Sequence, residues 1–284
     1  MSFSWPDGKR IAVAVAVMYE TWSEGKAPPY SVQTTSLHPD TVNLSGITWA
    51  QYGGKTGVWR IINTLDRHGV KGTFAVNARA AELYPDSIRQ ILRSGHDVAG
   101  HAYTQDGLQR YMTPGEERAM IHRSLSILEN AAGRRPTGWF SPVLAWTEST
   151  SEILADAGIL YQADSNDVDL PYCVEINGKK LVKIPASDFS DNRVLRASPR
   201  DFYDVYKDTF DYLYDKEPGS FLAFTLHCHF GGRPMIQAVF DQILAYYKRF
   251  PDVWFVRHDE LAKYIAENGI GEISYGSRFF QTPT

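Results

Sequence analysis

The chain predicts an α/β protein whose parallel sheet closes into a barrel. Strand-like and helix-like segments alternate about seven times, the pattern of repeated βαβ units. The first strand-like segment is apolar throughout rather than alternating, as a strand covered on both faces must be. A length of 284 residues also suits one barrel-sized domain better than two small ones. No repeat, low-complexity run or linker divides 1–284, though a long loop is expected at 23–55 and a tail at 269–284.

Arg10 to Val17, almost entirely Val, Ala and Ile, reads as a buried strand that ends at Met18-Tyr19-Glu20-Thr21-Trp22. The segment 23–55 holds Pro28, Pro29, Pro39, Gly46, Gly53 and Gly54 without clear period, and so long a loop is usually functional or packed on a neighbour. Thr56 is expected to cap a helix to about His68, stopped by Gly69. A strand from Lys71 to Asn77, a helix from Pro85 to Arg93 and a short strand from His96 to Gly100 follow, the last delivering His101. Thr113-Pro114-Gly115-Glu116 has capping-box spacing with Pro at the first helical position, so a helix should run to about Ala132. Pro136 to Phe140 reads as strand, Ser149 to Ala157 as helix, and Ile159 to Ala163 and Leu181 to Ile184 as strands whose crossover lacks a helix. Ser198-Pro199 opens an amphipathic helix to about Asp215. Phe221 to Leu226 is a strand that ends at His227-Cys228-His229, before a helix over Met235 to Phe250, a strand over Val253 to Val256 and a helix over Asp259 to Ala266.

The net charge of −4 with no polybasic block argues against nucleic acid or an anionic membrane surface as partner. No basic segment leads an apolar one at the N-terminus and no apolar run approaches the span of a bilayer, so a cytoplasmic location is expected. Cys173 and Cys228 form no metal-type pair, which agrees with a reducing compartment. An aromatic content of 13% and the terminal Phe279-Phe280 suggest a homo-oligomer, a dimer or tetramer.

In such a barrel the carboxyl ends of the strands face one mouth. They would deliver Glu20, Asn77, His101, Ser141, Asp164, Asp188 with Asp191, His227 with His229, and His258. Asp188 and Asp191 read equally as turn formers, Asn77 as a helix cap and His258 as the neighbour of one. Glu20 differs, because a carboxylate after an apolar strand must find partners or titrate with a raised pKa, and both conditions favour catalysis. While the strand persists, His227 and His229 would share a face, with Cys228 opposite.

Three motifs carry a resemblance: Val17-Met18-Tyr19-Glu20, Gly95-His96-Asp97-Val98-Ala99-Gly100-His101, and Leu226-His227-Cys228-His229 with Gly232-Arg233-Pro234. Together they resemble the polysaccharide-deacetylase superfamily. Gly57-Val58-Trp59-Arg60, Tyr161-Gln162-Ala163-Asp164-Ser165 and Asp169-Leu170-Pro171-Tyr172 are similar, more narrowly, to its branch of allantoinase-like and cyclic-imide-hydrolase-like enzymes. The resemblance implies a distorted (β/α) barrel of about seven to eight parallel strands. It also exposes departures. Where metal-dependent members have a catalytic acid followed by an acidic ligand, this chain has Glu20 and Thr21, and their His-x-x-x-His ligand pair is His101 and Gln105. Trp139-Phe140-Ser141-Pro142 stands where those members have an arginine.

The residues read best as a hydrolase of the carbon–nitrogen bond of a small amide, cyclic amide or imide, or N-acyl group. That reaction needs a base for water, donors for the oxyanion and an acid for the leaving nitrogen. Glu20 is the expected base, His227 the acid and His101 the group that orients substrate or stabilises the oxyanion. Tyr19, Trp22, Trp139 and Trp146 would wall the pocket, with Ser141, Asp164, His229 and Arg233 touching substrate. No cofactor and no metal are expected, although Glu20, His101, His227 and His229 make a competing ligand set. The alternatives are a metal-dependent N-deacetylase of an amino sugar or peptidoglycan, and a barrel that only binds a small ligand.

Overall fold

Strand β1, Ile11–Tyr19, is buried at every residue, and the computed structural model describes residues 5–32, 36–38 and 40–280 of the chain. Its side chains divide by parity. Ile11, Val13, Val15, Val17 and Tyr19 join the core beneath the helices, while Ala12, Ala14, Ala16 and Met18 face the inside of the curled sheet. Small residues on that inner side leave space, and Ala16, Ala163 and Ala223 all line the cavity described below.

After β1 the chain reaches α1, Leu44–Tyr52, continues through one π-helical stretch, Gly53–Gly57, and enters α2, Val58–His68, which Gly69 ends at φ +66°. The loop expected over 23–55 is therefore partly helix, and Thr56 lies inside the π-helical stretch instead of capping α2. Within that span residues 33–35 and Pro39 lie outside the described residues. Gly57 serves close approach: a Cβ there would sit 1.9 Å from the Cys228 carbonyl oxygen. The helix thus rests directly on the turn that carries His227 and His229.

Next come β2 (Thr73–Val76), α3 (Ala78–Leu83), α4 (Pro85–Arg93), β3 (Asp97–Gly100), α5 (Pro114–Ala132), β4 (Gly138–Trp139), α6 (Thr150–Asp156) and β5 (Tyr161–Ser165). Thr113 and Glu116 close the expected capping box at the start of α5. β6 (Tyr172–Ile176) and β7 (Lys179–Pro185) form an antiparallel hairpin turned by Asn177-Gly178, both at positive φ. This hairpin replaces the missing crossover helix, since β7 returns parallel to β5. The chain closes with α7 (Pro199–Lys216), β8 (Ser220–His227), α8 (Pro234–Tyr247), β9 (Val253–Phe255), α9 (His258–Glu267) and α10 (Tyr275–Phe279).

The sheet runs β6-β7-β5-β4-β3-β2-β1-β8, with β9 beside the first residues of β1. All described pairings are parallel except that of β6 with β7. The sheet curls until the segment after β7 meets β8 at one bridge, Ser190 to Thr225. The distorted (β/α) barrel expected from sequence is thus present, joined on one side by a loop rather than by a strand ladder. Among the described residues no helix is long and apolar enough to cross a membrane.

Candidate active site

Register places the chemistry. β1 pairs with β8 so that Met18 lies beside His227, and one residue beyond each strand end the chain offers Glu20 and the His227–His229 turn. Glu20, His101 and His227 line one cavity of about 490 Å³ inside the sheet.

Behind His227 lies Asp191, fully buried at the start of the short 3-10 turn Asp191–Val194. It accepts from the His227 backbone N–H at 2.8 Å and from ring Nδ1 at 2.5 Å. The ring's Nε2 is left facing Glu20 Oε1 at 3.7 Å. Burial opposes the imidazolium, but the charges of Asp191 and Glu20 outweigh it and raise His227 to about 9. Glu20 is the mirror case: burial pushes its pKa up, and the His227 charge, aided by His101 and His229, pulls it down to about 2. Glu20 therefore finds partners instead of titrating high. At neutral pH the site holds a carboxylate and an imidazolium side by side, an acid and a base set apart by environment.

Three more polar groups surround the carboxylate. His101 donates from Nδ1 to the Phe140 carbonyl at 3.0 Å, which turns Nε2 toward Glu20 Oε1 at 3.7 Å. Tyr30 donates its hydroxyl proton to Oε2 at 3.4 Å. His229 brings Nδ1 to 3.5 Å from the same oxygen. Every one of these contacts is longer than a full hydrogen bond to a carboxylate, about 2.5–2.9 Å. Glu20 is charged, dry and incompletely satisfied, so its lone pairs remain open to a water.

Several expected substrate contacts lie elsewhere. His229 is fully buried between Trp22 and Trp49, with ring centroids 5.3 and 4.9 Å away, and burial lowers its pKa to about 4. It packs beside Glu20 and lies outside the cavity wall, because β8 ends at His227 and the turn takes His229 behind the carboxylate. Tyr19 has the outward parity of β1 and bonds Ser87. Trp139 is fully buried against Gly100, and Trp146 lies on the surface with Lys183 over its ring. Trp22 lines a second cavity of about 430 Å³, which shares Glu20 with the first. Arg233 donates to the carbonyls of His229 and Trp49 and covers the Tyr52 ring, so it braces the turn and touches no acid.

Ser141 does line the cavity, but its hydroxyl donates to Asp164 at 2.7 Å and accepts from Gln109 and Trp139. Asp164 is raised by burial, opposed by its bonds from Ser141 and Gln162 and by Lys183, and stands behind the wall. Asn77 makes no cap; it ties the Thr21 N–H to the His101 carbonyl and so locks three strand ends together. His258, at the first position of α9, lines the cavity floor against Phe140. Asp188 lines the cavity, while its neighbour Asp191 proves to be the partner of His227, a role its turn-like context hid. Tyr30 and Arg193 also line the cavity, and nothing in their aperiodic surroundings marked them beforehand.

The residues do not fit the divalent metal of metal-dependent relatives. Of the three ligand positions only His101 bears a metal-type donor, whereas Thr21 and Gln105 offer neutral oxygens that are buried and unpartnered. Among the described residues no group of three or more His, Cys, Asp or Glu side chains is arranged to hold a metal ion.

With this geometry in hand, similarity to known proteins takes on meaning. The family profile for polysaccharide deacetylase matches residues 45–162. The crystal structure of PuuE allantoinase superposes with a TM-score of 0.82 at 30% identity, over 93% of each chain. A Pseudomonas aeruginosa structure described as a probable polysaccharide deacetylase gives 0.82 at 27% identity over 94% of each. A Helicobacter pylori peptidoglycan deacetylase is 21% identical across 74% of this chain and 84% of its own.

Proposed function

The chain belongs to the polysaccharide deacetylase superfamily, a family of hydrolases, and from that premise we propose that it hydrolyses the carbon–nitrogen bond of a small amide, cyclic amide or imide, or N-acyl compound, with Glu20 as base and His227 as acid. The observation that carries this reading is the 3.7 Å contact between a carboxylate held ionised and an imidazole held protonated, both on one cavity.

The step balances with these two groups. Glu20 takes a proton from water as the water oxygen bonds the carbonyl carbon and the carbonyl π pair moves onto oxygen. His227 Nε2 then gives its proton to the nitrogen as the carbon–nitrogen bond breaks and the carbonyl re-forms. The proton on Glu20 returns to His227, leaving acid and amine. Asp191 keeps the His227 ring oriented and its Nε2 protonated. A cavity of about 490 Å³ walled by Met18, Phe140 and the inner alanines favours a small, ring-sized substrate over a long glycan.

The test is a panel of allantoin, hydantoins, succinimides and N-acyl amines including N-acetylglucosamine oligomers, assayed for released acid with wild type and Glu20→Gln. Turnover of a small amide that Glu20→Gln abolishes supports the reading. Turnover confined to the glycan oligomers, or none at all, overturns it. We also propose a homo-oligomer, since Phe280 stands 77% exposed beyond α10. Light scattering at the mass of one 32.0 kDa chain would end that proposal.

A further inference from the structure

We propose that Tyr30 is a catalytic residue: its hydroxyl, which touches Glu20 at rest, re-aims at the oxyanion as negative charge leaves the base for the substrate. The inference rests on the hydrolytic reading above. It starts from the need for a donor, because an oxyanion requires a preorganised O–H or N–H. Three groups that line the cavity beside Glu20 are engaged elsewhere. The Ser141 hydroxyl gives its proton to Asp164. His227 Nε2–H is the acid for the leaving nitrogen. His101 gives its Nδ1 proton to Phe140, and its Nε2 is sealed from solvent behind Glu20.

Tyr30 is placed differently. It lines the cavity, it is only partly buried, and its O–H reaches Glu20 Oε2 at 3.4 Å, far longer than the 2.5–2.7 Å typical of a hydroxyl on a carboxylate. So long a bond is weak and costs little to leave. The hydroxyl keeps its proton throughout, since burial and then the charges of Glu20 and Asp191 push its pKa well above the usual phenol value. When Glu20 gains the proton of water, its pull on the Tyr30 donor falls just as charge appears on the carbonyl oxygen, and the donor follows the charge.

The ring itself is fixed for this. It lies edge-on to Trp49 at 6.2 Å and against His229 at 6.1 Å. The next carbonyl, of Ser31, accepts from Arg196 at 3.5 Å, which fastens the segment near the turn that bears Asp191. Tyr30 comes from the aperiodic stretch after β1, so the role expected of His101 passes to a residue delivered by a loop.

The experiment is Tyr30→Phe, which keeps the ring contacts and removes one O–H. The expected result is a fall in kcat of about 10²- to 10³-fold, with KM within about 3-fold and unchanged melting temperature. A kcat near wild type, or a raised KM with kcat intact, overturns the inference while leaving Glu20 and His227 standing if Glu20→Gln is still inactive. Should Glu20→Gln keep its activity, the hydrolytic reading itself fails. Should Tyr30→Phe misfold, 3-fluorotyrosine at position 30 decides: a more acidic, stronger donor raises kcat if Tyr30 serves the oxyanion and leaves it unchanged if the residue only packs.

Discussion

Two buried carboxylates close to the same cavity behave in opposite ways. Asp164, at the end of β5, accepts from the Ser141 N–H at 2.6 Å, the Ser141 hydroxyl at 2.7 Å and Gln162 at 2.8 Å. Gln162 is held in turn by Lys183 and Ser151. Three short bonds engage both oxygens, so this network ties the ends of β4, β5 and β7 and holds Asp164 in place. Glu20, after β1, has partners only at 3.4 to 3.7 Å, and they are an acid, two further imidazoles and a phenol. Burial alone does not separate the two roles. What separates them is whether hydrogen bonding is complete, which fixes a strand end, or incomplete, which leaves a charge poised to act.

Glu20→Gln should have the largest effect. The amide keeps the shape but cannot take a proton, so kcat should fall by about 10²- to 10⁴-fold with the fold intact by circular dichroism. Retained turnover would put Glu20 in the same structural class as Asp164. Asp191→Asn comes next: removing the charge behind His227 should lower kcat/KM about 10²-fold and leave thermal stability less affected than activity.

The same conservative change at Asp164 should invert that pattern. Asp164→Asn leaves a donor where two bonds need an acceptor, and a buried mismatch of this kind costs about 1–3 kcal/mol in chemical denaturation. Its kcat per folded molecule should stay within about 3-fold of wild type, and a larger loss would mean that Ser141 and Asp164 do more than hold the wall. The smallest effect is expected at Trp146, which lies on the surface and touches the Asp164 network only through the Lys183 ammonium over its ring. Trp146→Ala should change kcat/KM by no more than about 2-fold. Chelation should likewise leave the rate unchanged, since Thr21 and Gln105 are poor ligands; a rate lost on chelation and restored by zinc would point to the competing ligand set of Glu20, His101, His227 and His229.

The sequence made the frame of this comparison visible and hid its content. Period and capping located β1, α5, α7 and β8, because apolar runs, Thr113-Pro114 and Ser198-Pro199 act locally. Glu20, His101 and His227 were legible for a similar reason: polar residues at the ends of apolar strands must face the barrel mouth. The pairing of Asp191 with His227 was not, since it joins residues 36 apart through a turn with no pattern of its own. Nor was the outward parity of Tyr19, which depends on which side of β1 faces the cavity. The helix at Leu44–Tyr52 escaped because Gly46, Gly53 and Gly54 read as loop residues, while Gly53 packs on the turn after His227 and Gly54 on the Tyr84 ring.

The central claim is that His227 works as a charged acid beside an ionised Glu20, and the pH dependence of kcat/KM tests it most directly. His227 is raised above its ordinary value, so its acid form is complete at neutral pH and is lost as pH climbs through about 9. Glu20 is lowered to about 2, so its basic form is present across the whole accessible range. The profile should therefore be flat from about pH 5 to 8 and descend near 9, and in Asp191→Asn the descent should move to lower pH because the main cause of the raised value is gone. A rate that rises through neutrality to an alkaline plateau, as a neutral imidazole base would give, contradicts the account.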